Sequence, residues 1–350
     1  MKGRLTSRLL PFVRQASCIM ALSSLAGLIY ALHQGDMARI AIGLAILQGV
    51  TIGLLLTALE IGLSIPPLRE WMPPLPFSLS LVLRTMIYAA AIIAVNVIMR
   101  PHAIAASIDR GGEFIYFVFF SIAISFLLNF IVQTANLAGG ETLMNFMTGR
   151  YHRPREERRF VLFVDVVGST ALAERHGSLF IHAFLDRTFR VLTEAVLSHS
   201  GEVLGYIGDE LIVTWPEKKG AIDARALRCF CDMRTALLRA RPKFEHEFGS
   251  VPCIRGSLNF GSLTIGETGA VKRAIVFNGD VMNTAARLEE SSRHVDGGFV
   301  ASRAAIERLE GVLPCELHEL GNLELRGRQR AVEAFGLGYP SATGQLAHAG

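Results

Sequence analysis

The feature that most constrains this chain is where its apolar residues lie: they are gathered into long runs within the first 140 residues. Four runs stand out, Ala16–Leu32, Ala38–Leu63, Leu79–Met99 and Phe114–Leu137. Each is close to or above the roughly 20 residues that cross a bilayer as helix. The first is the shortest and carries Ser23 and Ser24. A cleaved signal peptide is its alternative reading, but no clear small-residue cleavage site precedes a mature domain. The pattern predicts an N-terminal α-helical transmembrane bundle of four spans, with the lipid bilayer as its surroundings.

Basic residues orient such a bundle. Lys2, Arg4, Arg8 and Arg14 precede the first run, and Arg150, Arg153, Arg155, Arg158 and Arg159 follow the fourth. Both termini are therefore expected in the cytoplasm, as an even number of spans requires, in a multi-pass protein of the inner membrane. Glu60 and Arg84 sit near span ends, where long side chains snorkel to the interface. Asn96 and Asn129 are placed to hydrogen-bond between helices, and Gly49-x-x-x-Gly53 permits close helix approach. His33 and His102 fall at the outer edge rather than as facing pairs, which argues against a haem-binding bundle.

Net charge is +4, too small to indicate nucleic acid as a partner. The five cysteines, Cys18, Cys229, Cys231, Cys253 and Cys315, make no zinc-like spacing. In a cytoplasmic domain they read as reduced thiols of structural or incidental role. The chain thus divides into a membrane domain (1–138), a charged coupling linker (139–158), a soluble domain (159–338) and a disordered tail (339–350).

After the linker, Phe160–Val167 is an apolar, β-branched run, the pattern of a buried strand. It breaks at Gly168-Ser169-Thr170, and a helical pattern covers Leu179–His199. Two strands, Glu202–Ile207 and Leu211–Trp215, flank Gly208-Asp209, a two-residue hairpin signal. A helix over Ile222–Phe248, strands near Cys253–Phe260 and Ala274–Phe277, and a helix over Asp280–Ser291 follow. The order β-α-β-β-α-β predicts an α+β ferredoxin-like fold.

In that fold Asp165, ending the first strand, approaches Asp209 at the hairpin tip. Paired carboxylates bind hard cations, and backbone N–H groups from Val167 to Thr170 are placed to hold phosphate oxygens. Asn283 and Arg287, four apart, share one helix face. An amide and a guanidinium there suit a ribose and the charge that develops on a phosphoryl group.

Three motifs together resemble the catalytic domain of class III adenylate/guanylate cyclases. They are Phe163-Val164-Asp165-Val166-Val167-Gly168-Ser169-Thr170, Tyr206-Ile207-Gly208-Asp209-Glu210, and Gly279-Asp280-Val281-Met282-Asn283-Thr284-Ala285-Ala286-Arg287-Leu288-Glu289. The resemblance spans residues 156–338. It implies that Asp165 and Asp209, with the Val166 carbonyl, ligate two Mg²⁺ or Mn²⁺ ions per site. It implies that Gly168, Ser169 and Thr170 meet phosphate, and that Asn283 and Arg287 serve the transition state. Arg326 stands where the family usually has a phosphate-binding lysine. By two-metal phosphoryl transfer, the ribose 3′-hydroxyl of ATP would attack the α-phosphorus and expel pyrophosphate. Family members share each site across a dimer, so a homodimer is expected.

Two positions depart from the pattern. The family's base-selecting lysine and Asp/Thr are Gly205 and Val276 here, and neither side chain hydrogen-bonds a purine. ATP is the expected substrate by the family's prevailing activity; GTP, and a catalytically weak nucleotide-binding signalling module, are the alternatives. Ile207-Gly208-Asp209-Glu210 also resembles the diguanylate cyclase signature, but that class would not account for the Asn283/Arg287 helix.

Overall fold

A computed structural model of the chain describes residues 39–64, 75–99, 112–138, 148–270, 273–326 and 331–337, with positions 21, 23–25, 28, 29 and 145. It separates into two compact units, one of residues 8–144 and one built on residues 145–350.

The first unit contains helices α1 (Arg39–Ser64), α2 (Phe77–Met99) and α3 (Gly112–Ala138), which correspond to the second, third and fourth apolar runs. Most of the first run, and the tail from 339, lie outside the described residues. Among the described residues α2 is the one helix long and apolar enough to cross a membrane, a single candidate span where the sequence predicts four. Some polar side chains of this unit pair between helices. Asn129 Nδ2 donates to the Leu81 carbonyl at 3.1 Å, and Gln48 Nε2 donates to Asn96 Oδ1 at 2.6 Å. Large apolar side chains such as Val82, Ile98 and Phe119 are exposed. At Gly49 the close approach is real: a Cβ would lie 2.5 Å from Ser24 Cα.

In the second unit β1 (Arg155–Val166) leads to α4 (Ser169–His176) and α5 (Ser178–Ser198). The hairpin β2 (Glu202–Ile207) and β3 (Glu210–Pro216) follows, then α6 (Glu217–Ala221) and the long α7 (Arg225–Phe248). β4 (Ile254–Thr268) and β5 (Ala274–Asn278) precede α8 (Asp280–Ser291). β6 (Phe299–Ser302), α9 (Arg303–Ile306), β7 (Leu317–Leu323) and β8 (Val332–Leu337) complete the unit. The sheet order is β2-β3-β1-β4-β6-β8-β7, with β5 paired to β4. Its first four strands form the expected antiparallel ferredoxin-like core, and β6 joins parallel to β4.

β1 is paired on both edges and covered on both faces, which explains its near-continuous apolar run. Phe160, Leu162 and Val164 pack with Phe184 of α5 and Phe230 of α7. Val161 and Phe163, on the other face, pack with Tyr151 and with Val281 and Ala285 of α8. Gly256 lies where β4 passes β1, and a Cβ there would meet the Phe163 carbonyl at 2.5 Å.

Three readings change. The charged run was read as linker through residue 158, but Arg155–Arg158 pair with Ser262–Ile265 of β4. The helix read from Ile222 starts at Arg225, because Asp223 and Ala224 take left-handed conformations. Arg159, read as a topology signal, is 2% exposed. Its guanidinium meets Glu157 Oε2 at 2.9 Å, Glu202 Oε2 at 2.6 Å and the Tyr151 hydroxyl at 3.2 Å, and lies over Phe277. Removing one member of such a network strands the others without a partner. Arg159→Ala is therefore expected to destabilise the unit by about 3–5 kcal/mol in chemical denaturation. Adding Glu157→Gln and Glu202→Gln is expected to recover part of that loss.

Candidate active site

The site begins at the C-terminal end of β1. In register, Asp165 stands opposite Glu210 on β3 and Arg255 on β4. The β2–β3 hairpin turns at Gly208, φ 63°, and carries Asp209 back beside Asp165, close enough for the two carboxyl groups to interact. Val166 N–H donates to the Asp209 carbonyl at 3.3 Å, which ties the two elements through their backbones. Sequence spacing and structure agree on this pairing.

At the next residues the chain leaves the strand. Gly168, φ 77°, makes the left-handed turn into α4, which a residue with a Cβ enters at a cost. The Val167 N–H, expected to be available for phosphate, is donated to the Cys253 carbonyl at 2.9 Å. Gly168, Ser169 and Thr170 remain at the end of α4, where first-turn N–H groups have no partner within a helix. The Ser169 hydroxyl donates to Asp209 and so braces a carboxylate.

Arg255 and Glu289 complete the cluster, and sequence reasoning assigned neither. Arg255 donates through one nitrogen to Asp165 and through Nε to Glu289 Oε1 at 2.9 Å. Glu289 was visible in the third motif, but no motif marked Arg255; only the β1–β4 register places it. Asp165 is 4% exposed. Burial, with Asp209 and Glu289 adding to it, pushes its carboxyl up to about 7 against the pull of Arg255. Burial and the same carboxylates raise Glu210 as well. A site where ionised carboxylates crowd together calls for more positive charge than one guanidinium supplies. Among the described residues no three ligating side chains converge into a cage. Two carboxylates and a carbonyl nevertheless fit Mg²⁺, which usually keeps waters and takes nucleotide phosphates as its remaining ligands.

Asn283 and Arg287 lie on α8, which is held against β4 by that strand's polar side chains. Asn259 Nδ2 donates to the Val281 carbonyl at 3.0 Å, and Ser257 Oγ donates to the Ala285 carbonyl at 2.6 Å. Val281, Ala285 and Leu288 are buried beneath the helix, while Asn283 is exposed and Arg287 half-buried. Neither Asn283 nor Arg287 makes a side-chain hydrogen bond or ion pair with the described residues of its own chain. Gly205 sits at a bulge in β2, with nothing within 4 Å of where its Cβ would be. Val276, half-buried on β5, pairs with Gly266. Arg326 is exposed and follows Leu325, which packs beside Leu288 of α8.

The raised Asp165 has a signed consequence. A proton held more tightly in the folded state stabilises it fully below the unfolded value near 4, and that stabilisation is lost as pH rises through about 7. In metal-free protein, the advantage of Asp165→Asn over wild type in denaturation midpoint is expected to grow from pH 4 to pH 7 and then level off. A constant difference would contradict the assignment.

Comparison with known proteins agrees with this architecture. The family described as adenylate and guanylate cyclase catalytic domain matches residues 152–337. The protein named adenylate cyclase 2 of Rhizobium meliloti (strain 1021) is 30% identical over 259 residues, 73% of this chain and 70% of that protein. Adenylate cyclase 1 of the same strain is 23% identical over 185 residues, 50% of this chain and 26% of its own length. Among solved structures, a bacterial light-regulated adenylyl cyclase shares the fold at a TM-score of 0.51 and 20% identity, over 61% of this chain and 64% of that one. The motifs, the sheet order and these matches converge: the chain belongs to the class III adenylate and guanylate cyclase family.

Proposed function

We propose that this chain is a membrane-anchored adenylate cyclase that converts ATP to 3′,5′-cyclic AMP and pyrophosphate, working as a homodimer in the inner membrane with its catalytic domain in the cytoplasm. The observation that carries the reading is the meeting of Asp165 and Asp209 at the ends of adjacent strands. The name of the 30% identical relative favours ATP. GTP is the second reading, left open by the absence of a base-discriminating side chain at Gly205 and Val276.

Each residue has a task in this scheme. Asp165, Asp209 and the Val166 carbonyl would hold two Mg²⁺ or Mn²⁺ ions. When bound, the metals supply Lewis acidity toward the 3′-hydroxyl and charge neutralisation on the phosphates. Ser169 keeps Asp209 oriented, and the Gly168–Thr170 turn receives phosphate oxygens. Arg326 adds positive charge for the phosphates. Asn283 orients the ribose, and Arg287 stabilises the charge developing at the α-phosphorus. The unengaged Asn283 and Arg287 support a site in which one chain offers them to the aspartates of its partner. In the first unit, the inward polar and outward apolar side chains support burial in lipid.

Full-length protein in lipid, given ATP and GTP separately with Mn²⁺, is expected to yield cyclic AMP from ATP; cyclic GMP alone would reassign the substrate. Asp165→Ala and Asp209→Ala are each expected to lower turnover at least about a thousandfold. Mixing Asp209→Ala with Arg287→Ala chains is expected to restore about a quarter of wild-type turnover, since random pairing leaves half the dimers with one intact site of two. No recovery in confirmed mixed dimers would refute the shared site.

A further inference from the structure

The fold brings together two cysteines that the sequence separates widely. Cys231 on α7 and Cys315, in the segment leading into β7, lie with their sulfurs 3.8 Å apart, and both are half-buried. They are 84 residues apart in the chain. Cys229, two positions away on the same helix, is buried in the core instead. Spacing on the helix therefore sends one thiol inward and leaves the other at the edge, against a different segment.

The surroundings hold this pair in place. Arg228 and Arg234 flank Cys231 at three residues to either side, so they share its helix face. Arg228 donates to the Val312 carbonyl at 2.9 Å and pins the segment carrying Cys315 against α7. Arg234 donates to the Gly297 carbonyl at 3.0 Å. The hydrogen bond from Cys231, with the charges of Arg228 and Arg234, holds the Cys315 thiol below its ordinary value despite burial. Among the described residues no third ligating side chain joins the two sulfurs.

We propose that Cys231 and Cys315 are a redox pair that a hydroperoxide oxidises to a disulfide. In the first step the Cys315 thiolate sulfur attacks the peroxide oxygen. The O–O bond breaks, an alcohol or water leaves with a proton, and Cys315 becomes a sulfenic acid. The Cys231 sulfur then attacks the Cys315 sulfur, the S–O bond breaks, and the hydroxyl leaves as water with the Cys231 proton. Two thiols and one hydroperoxide thus give a disulfide, one water and one alcohol or second water. The sulfurs must close from 3.8 Å to a bond of about 2.05 Å. Cys315 lies in an irregular segment, which can make that adjustment without disturbing helix or sheet. The closed loop would enclose β4, β5, α8 and β6, and with them Arg255, Asn283 and Arg287.

The test uses full-length protein treated with hydrogen peroxide, then alkylated and digested with trypsin without reduction. Cys229 and Cys231 share the tryptic peptide 229–234, so fragmentation and a Cys229→Ala background assign the linked sulfur. The expected product joins that peptide to the one spanning 309–326, lighter than the two thiol peptides by two hydrogens. It is expected to vanish in Cys231→Ala and Cys315→Ala, to persist in Cys253→Ala, and to be reversed by a thiol reductant. Cys253 is the informative control, because it is exposed and also lies within the field of Arg234. Alkylation of both Cys231 and Cys315 under conditions that oxidise Cys253 would overturn the proposal, as would a disulfide that uses Cys253.

Discussion

The site depends on the confinement of β1. Paired on both edges and buried on both faces, this strand cannot shift register by one residue without exchanging the side chains that its two different cores hold. Asp165 at its end is therefore held at one place between Glu210 and Arg255. The hairpin that returns Asp209, the β4 strand that supplies Arg255, and the α8 helix that supplies Glu289 are all positioned against that one strand. A carboxylate in so enclosed a setting is costly to ionise, which is why Asp165 is pushed up to about 7. The cost is the reason such a site welcomes added cations.

The two faces of β1 divide the work. One face builds the large apolar core with α5 and α7 and gives the strand its rigidity. The other seats α8 through Val281 and Ala285, and so sets where Asn283 and Arg287 stand. β4 reinforces this with Asn259 and Ser257, whose side chains donate to carbonyls of α8. Core packing and site geometry are thus the same set of contacts seen from different sides. Tyr151 and Arg159 extend that face, both buried and bonded to one another.

Much of this was legible without coordinates because local patterns decided it. The apolar run Phe160–Val167, the Gly208-Asp209 turn and the amphipathic Asp280–Ser291 segment each point to one structure by periodicity or turn chemistry. Their motifs placed the chain in its family. What escaped was non-local. Arg159 reads as a topology signal until Glu202, 43 residues on, is brought beside it. Arg255 reads as an ordinary strand residue until β1 is laid next to β4. In the first unit, composition named the apolar runs, but which polar side chains pair between helices was a matter of packing.

The sequence by itself determined the family, the order of the core strands, and that Asp165 and Asp209 meet at the ends of their strands, because those properties follow from short motifs and local periodicity. Only the tertiary structure decided which charge balances Asp165, that the Val167 N–H is already engaged, and that Cys231 meets Cys315. Those are contacts between residues far apart in the chain, set by strand register and helix packing, and no local pattern encodes them.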